Sequence, residues 1–123
     1  MGVNVRQDEA LRLLHEVSLG LVHAAKPGGM PDFTLRQLSI LLTVYLEHPP
    51  HTVRGLARKL GVTKPVITRA LDSMGKAAII ARRRDEADRR NVIIQRTVQG
   101  ALYVETLGDL VVEKARALPG ETP

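Results

Sequence analysis

Two residues, Val62 and Thr63, separate a glycine that closes one short amphipathic segment from the start of the next, and this spacing constrains the chain more than any other feature. Thr52 is a side-chain cap for a helix with Val53, Leu56, Ala57 and Leu60 inside, and Gly61 suits the left-handed residue that ends it. Thr63 caps the following helix, Pro65 fits its first turn, and Ile67, Ala70, Leu71 and Met74 recur at spacings of three and four. The other face of that helix is polar: Lys64, Pro65, Thr68, Arg69 and Asp72. Two short helices joined by a tight glycine turn over residues 52–76 form a helix-turn-helix, with a plain helical hairpin as the alternative.

The pattern changes after Ala77. Ile79-Ile80 and Val92-Ile93-Ile94 are β-prone runs on either side of the charged stretch Arg82–Arg90, which predicts a hairpin over 79–96 with a long polar tip. A hairpin in this place is a wing. Upstream, Thr34 with Gln37 three residues on forms a capping-box pattern, and Leu35, Leu38, Leu41, Leu42, Tyr45 and Leu46 make the expected buried stripe of a helix that stops before Pro49-Pro50. A first helix is expected over 7–25, ended by Lys26-Pro27-Gly28-Gly29-Met30-Pro31. A last one, capped by Thr97, is expected over 98–118 and ended by Leu118-Pro119-Gly120. At 123 residues the chain fits a single domain, mainly α, of about five helices plus the wing.

Charge is unevenly distributed. Residues 52–100 hold 12 Lys and Arg against 4 acids, whereas the rest of the chain holds 6 against 9. A basic segment of this density is the footprint of a phosphate-binding surface, because each neutralised phosphate releases counterions; a merely solvated face is the alternative. Aromatic residues, at 2%, are too few to stack single-stranded bases, which leaves a duplex. Without cysteine there is no disulfide, thiolate metal site or thiol nucleophile. His15, His23, His48 and His51 show no metal-ligand spacing, and Gly28-Gly29 lacks the Lys-Ser/Thr of a phosphate loop. No catalytic residue, metal or cofactor is expected. Asp85, Glu86 and Asp88 are expected to pair with Arg82–Arg84 or Arg89. No apolar run approaches a membrane span, and the first ten residues do not read as a secretory signal, so the cytoplasm is the expected location.

Over residues 34–100 the chain resembles the MarR family of winged-helix transcription regulators. TLRQLSILLTVYLEHPPHTVRGLARKLGVTKPVITRALDSM is similar to the family's second, third and recognition helices, and ARRRDEADRRNVIIQRTVQG to its wing, with Asp88, Arg90, Thr97 and Gly100 at the signature positions. The resemblance implies a regulator of transcription, a repressor at the bacterial nucleoid, with small-molecule or oxidative control; absence of cysteine excludes thiol sensing. Arg96 departs from the family's usual leucine, which predicts either a relaxed core position or an arginine snorkelling outward. Gly75 and Ala78 stand where the family tends to have a glutamate and a glycine, so an early end to the recognition helix is expected.

On this reading the recognition helix enters the major groove of double-stranded DNA, with Thr63, Lys64, Pro65, Thr68 and Arg69 as base-reading candidates, since arginine suits a bidentate contact with guanine. In the wing, Arg90 is the candidate for a narrow minor groove, Arg84 and Arg89 for the backbone, and Asp88 for orienting the loop. The helices over 7–25 and 98–118 carry more apolar surface than a small domain buries. A homodimer is therefore expected, with Leu14, Leu21, Leu107, Leu110 and Val111 near the seam and a pseudo-palindromic operator as its site; closure of both helices over the domain's own core is the alternative. The chain stops about 20 residues after Gly100, so a dimer with fewer contacts than in longer family members is expected. A winged-helix protein-interaction module without specific DNA readout is the rival from another class.

Overall fold

A computed structural model describes residues 6–27 and 30–118. Its elements run α1 (Gln7–Ala24), α2 (Leu35–Leu46), β1 (His51–Thr52), α3 (Val53–Leu60), α4 (Lys64–Lys76), β2 (Ile80–Arg84), β3 (Val92–Arg96) and α5 (Val98–Arg116). The strands form an antiparallel sheet in the order β1-β3-β2. This is a winged helix of five helices and a small sheet. The chain divides into two compact units: Phe33–Val104, and the segments up to Asp32 and from Glu105 on, the boundary falling within α5. Of the expected terminators, Gly28, Gly29, Pro119 and Gly120 lie outside the described residues.

Local chemistry sets the helix boundaries in the first unit. The Thr34 hydroxyl accepts the Gln37 N–H at 3.1 Å while the Gln37 side chain accepts the Thr34 N–H at 3.0 Å, completing the capping box. Thr52 caps α3 through the Gly55 N–H at 2.9 Å, and Gly61 ends it at φ 69°. Thr97 caps α5 through the Gly100 N–H at 2.9 Å. Thr63 differs from expectation. It is the N-cap of α4 by backbone geometry, but its side chain makes no cap bond, and Pro65 has removed one of the two amides such a cap addresses.

The core of this unit is Ile40, Leu41 and Val44 from α2, Val53, Leu56 and Ala57 from α3, Ile67, Leu71 and Met74 from α4, and Ile79, Ile80 and Ile94 around the wing root. The buried face of α2 is not the expected stripe: Leu35 is 80% and Leu46 72% exposed, while Ile40, Thr43 and Val44 are buried. The run Leu35–Leu46 carries apolar residues almost all round, so its periodicity selects no single face. The two-residue β1 carries no sequence pattern of its own, since it is defined by its partner: His51 opposes Ile94 and Thr52 opposes Ile93.

Arg96 resolves the departure noted above by snorkelling. Its Nε donates to the Val44 carbonyl at 2.8 Å and a terminal nitrogen to the Glu47 carbonyl at 3.0 Å, satisfying the last turn of α2, while its guanidinium lies 5.9 Å from the centre of the Tyr45 ring. The Tyr45 hydroxyl donates to the Ile79 carbonyl at 2.6 Å and accepts the Thr97 N–H at 3.0 Å. Gly100 packs against this junction so closely that a Cβ there would fall 2.7 Å from Tyr45 Cζ. In the second unit none of the α1 residues is buried, and Leu11 (60%), Leu14 (65%) and Val22 (64%) are exposed along one side of the helix.

Candidate nucleic-acid interface

The buried stripe of α4 turns its other side outward, and Lys64, Pro65, Thr68 and Arg69 are all exposed there, with Thr63 exposed just before them. The structure thus brings the five recognition-helix candidates together on one end of one helix. Arg69 Nε stands 3.5 Å from the Pro65 carbonyl, too long for more than a weak bond. Its guanidinium makes no ion pair in the described residues. Cationic donors of this kind, backed by a rigid buried stripe, can form bidentate hydrogen bonds to a base edge or to phosphate.

The wing is ordered by its own polar groups. Asp85 N–H donates to the Asn91 carbonyl at 3.0 Å and Asn91 N–H to the Asp88 carbonyl at 2.9 Å, closing the tip. The Asp88 carboxylate accepts Arg90 Nε at 3.1 Å, a second guanidinium nitrogen at 3.3 Å and the Arg90 N–H at 3.2 Å. These hydrogen bonds hold the Asp88 carboxyl below the usual carboxylate range, with the charge of Arg54 on α3 adding a smaller pull. The expected pairing of the acidic trio is therefore corrected: Asp88 holds Arg90, the cation two residues along a tight turn, and Asp85 accepts the Ala87 N–H at 2.9 Å instead of an arginine.

Arg90 is held at its guanidinium by Asp88 yet its side chain is 82% exposed. Arg84 donates to the Arg89 carbonyl at 3.0 Å, so its side chain braces the hairpin, while Arg89 itself is exposed. Arg82, an expected partner of the acidic trio, finds a different acid. It pairs with Asp72 on α4 at 2.9 Å. The signal was present in the strand alternation, since Arg82 shares a sheet face with the buried Ile80 and must point toward the helix, whereas Arg83 points away.

The assembly candidates fall into two groups. Leu14 is exposed and Leu21, Leu110 and Val111 are half-buried, whereas Leu107, at 5%, is already buried within the single chain and offers little to a seam. Among the described residues, no cluster of His, Asp or Glu has the arrangement of a metal site and no helix is long and apolar enough to cross a membrane.

Residues 33–92 match the model of the MarR family. No curated protein matches the chain. Among solved structures, a mutant of MepR from S. aureus is similar at 20% identity and TM-score 0.70, over 92% of this chain and 81% of that one. CouR bound to a 23-mer DNA duplex is similar at 22% identity and TM-score 0.69, over 89% of this chain and 72% of that one. The crystal structure of MarR is similar at 26% identity and TM-score 0.65, over 94% of this chain and 76% of that one.

Proposed function

The chain is a winged-helix member of the MarR family, whose domain it carries over residues 33–92, and from this premise we propose that it is a sequence-specific regulator of transcription that binds double-stranded DNA. Its family makes it a regulator and not an enzyme. The observation that carries the reading is the exposed, cationic first half of α4 standing beside a basic, internally braced wing. Support comes from relatives of the same fold: CouR, MepR and AbfR each have a structure with DNA.

In this reading Thr63, Lys64, Pro65, Thr68 and Arg69 face base edges in the major groove, and Arg89 and Arg90 meet the backbone and the adjacent minor groove. Asp88 sets the direction of Arg90. Arg84 acts through the wing backbone that it braces. The protein is a repressor that works as a homodimer on a pseudo-palindromic operator, with the two recognition helices about 34 Å apart. The exposed leucines of α1 support this, because an apolar stripe left open in one chain is covered at no extra cost by the same stripe in a second. Leu14, Leu21, Leu110 and Val111 stand near the seam. A small-molecule effector is the form of control that suits a chain without cysteine.

Selection from a random duplex library, followed by sequencing of the bound fraction, tests the reading. An enriched inverted repeat is the expected result. Binding without any enrichment would overturn it in favour of an interaction module whose basic surface only solvates.

A further inference from the structure

Asp72 is an acid on the face that carries Thr68 and Arg69, one helical turn further along α4. An unpaired carboxylate on that face would repel a polyanion. It is not unpaired: Arg82 NH1 stands 2.9 Å from its Oδ1, and the guanidinium extends along the helix to within 3.7 Å of where a Cβ at Gly75 would stand. The pair lies in the wall of a cleft of about 710 Å³ between the second half of α4 and the root of the wing, lined also by Lys76, Ala78 and Ala81. With Ile80 buried at the base of β2, the ion pair adds a polar link between strand and helix.

We infer that Asp72 and Arg82 form a positioning pair that fixes the angle of the wing to the recognition helix, so that base reading and wing contact occur in one register. Neither side chain touches a base. This rests on the DNA-binding reading above, and it extends that reading to residues the interface itself does not use. Simple electrostatics says that removing an acid from a DNA-facing surface tightens binding to every duplex, whereas loss of a positioning pair weakens binding to the operator in particular.

The test measures affinity of the full chain for the selected operator duplex and for a random-sequence duplex over a range of salt. Asp72→Ala and Arg82→Ala should each weaken operator binding about two- to fivefold, the range for a partly exposed ion pair, with less effect on random DNA and no change in salt slope. The exchange Asp72→Arg with Arg82→Asp should restore most of the loss. A second readout needs no DNA. Because the chain has no cysteine, spin labels at Ala87→Cys and Lys76→Cys report the wing-to-helix distance, and its distribution should broaden in each single variant and narrow again in the exchange. The proposal is overturned if Asp72→Ala tightens both duplexes equally, if Arg82→Ala lowers the salt slope by about one, which would make it a phosphate contact, or if the label distances do not change. Should selection recover no operator, the regulator reading fails while the label distances still decide whether the pair is a tether.

Discussion

Replacing Tyr45 by Phe removes one oxygen and leaves the ring under Arg96 in place. The loss is not small. That oxygen donates to the Ile79 carbonyl and accepts the Thr97 N–H, and it lies against the buried Gly100, so water has little room to take its place. One neutral hydrogen bond contributes about 1 kcal/mol, and a donor left without a partner in a half-buried site costs about 1–3 kcal/mol. Together these give about 2–4 kcal/mol, a fall in melting temperature on the order of 10 °C for a chain of this size. Urea unfolding followed by circular dichroism at one fixed protein concentration measures it, and the slope against urea should match wild type. Gly100→Ala supplies the companion test. Its new methyl would overlap both the Tyr45 hydroxyl and the Ile79 carbonyl, so the variant with both changes should lose less than the sum of the two, but more than Tyr45→Phe alone, because the carbonyl remains. A loss below about 0.5 kcal/mol for Tyr45→Phe, or strict additivity, would refute the view of this oxygen as a shared partner.

Ala78 holds φ at 60°, a conformation that costs a residue with a Cβ about 1–2 kcal/mol, so Ala78→Gly should stabilise the protein by about 0.5–1 kcal/mol after the added freedom of the unfolded chain is subtracted, readable in the same urea titration. Arg69→Ala should cost about 1–3 kcal/mol on the selected operator and relax preference at one position per half-site; an equal loss on scrambled DNA would make Arg69 a phosphate contact. Leu110→Asp should shift the protein toward monomer in sedimentation at micromolar concentration, and a wild-type protein that is already monomeric would show that the apolar excess is internal. Asp88 titrates below its unfolded value near 3.9, so its contribution to wing order is full above that pH and is lost as the pH falls through the lower, folded value; the Arg90 amide resonance should follow this acid-side transition.

Much of the fold was legible because its boundaries rest on side chains that act within a few residues of themselves. Thr34 with Gln37, Thr52, Gly61 and Thr97 mark helix ends through local bonds, and the β-prone runs either side of Arg82–Arg90 mark the wing. What was not legible depends on distant partners. The buried face of α2 is chosen by α4, through contacts such as the Gln37 amide donating to the Ala70 carbonyl at 3.2 Å. Strand β1 exists only because β3 comes alongside it. Arg96 looks misplaced in one dimension and becomes a helix cap once the end of α2 lies beside it. The candidate interface shows the same division: periodicity places Thr68 and Arg69 outward, but which acid holds which arginine is decided by the folded hairpin and the neighbouring helix.

The open stripe along α1 has a consequence for how much protein is needed. A helix of 18 residues with none buried draws most of its stability from whatever surface covers it, since its own hydrogen bonds leave it marginal in water. Where the cover is a second copy, the amount of ordered α1 rises with the square of the free chain at low abundance, by mass action. Halving the supply of chain then more than halves the supply of paired readers. Synthesis rate and dilution by growth become inputs in their own right, acting on occupancy before any effector does.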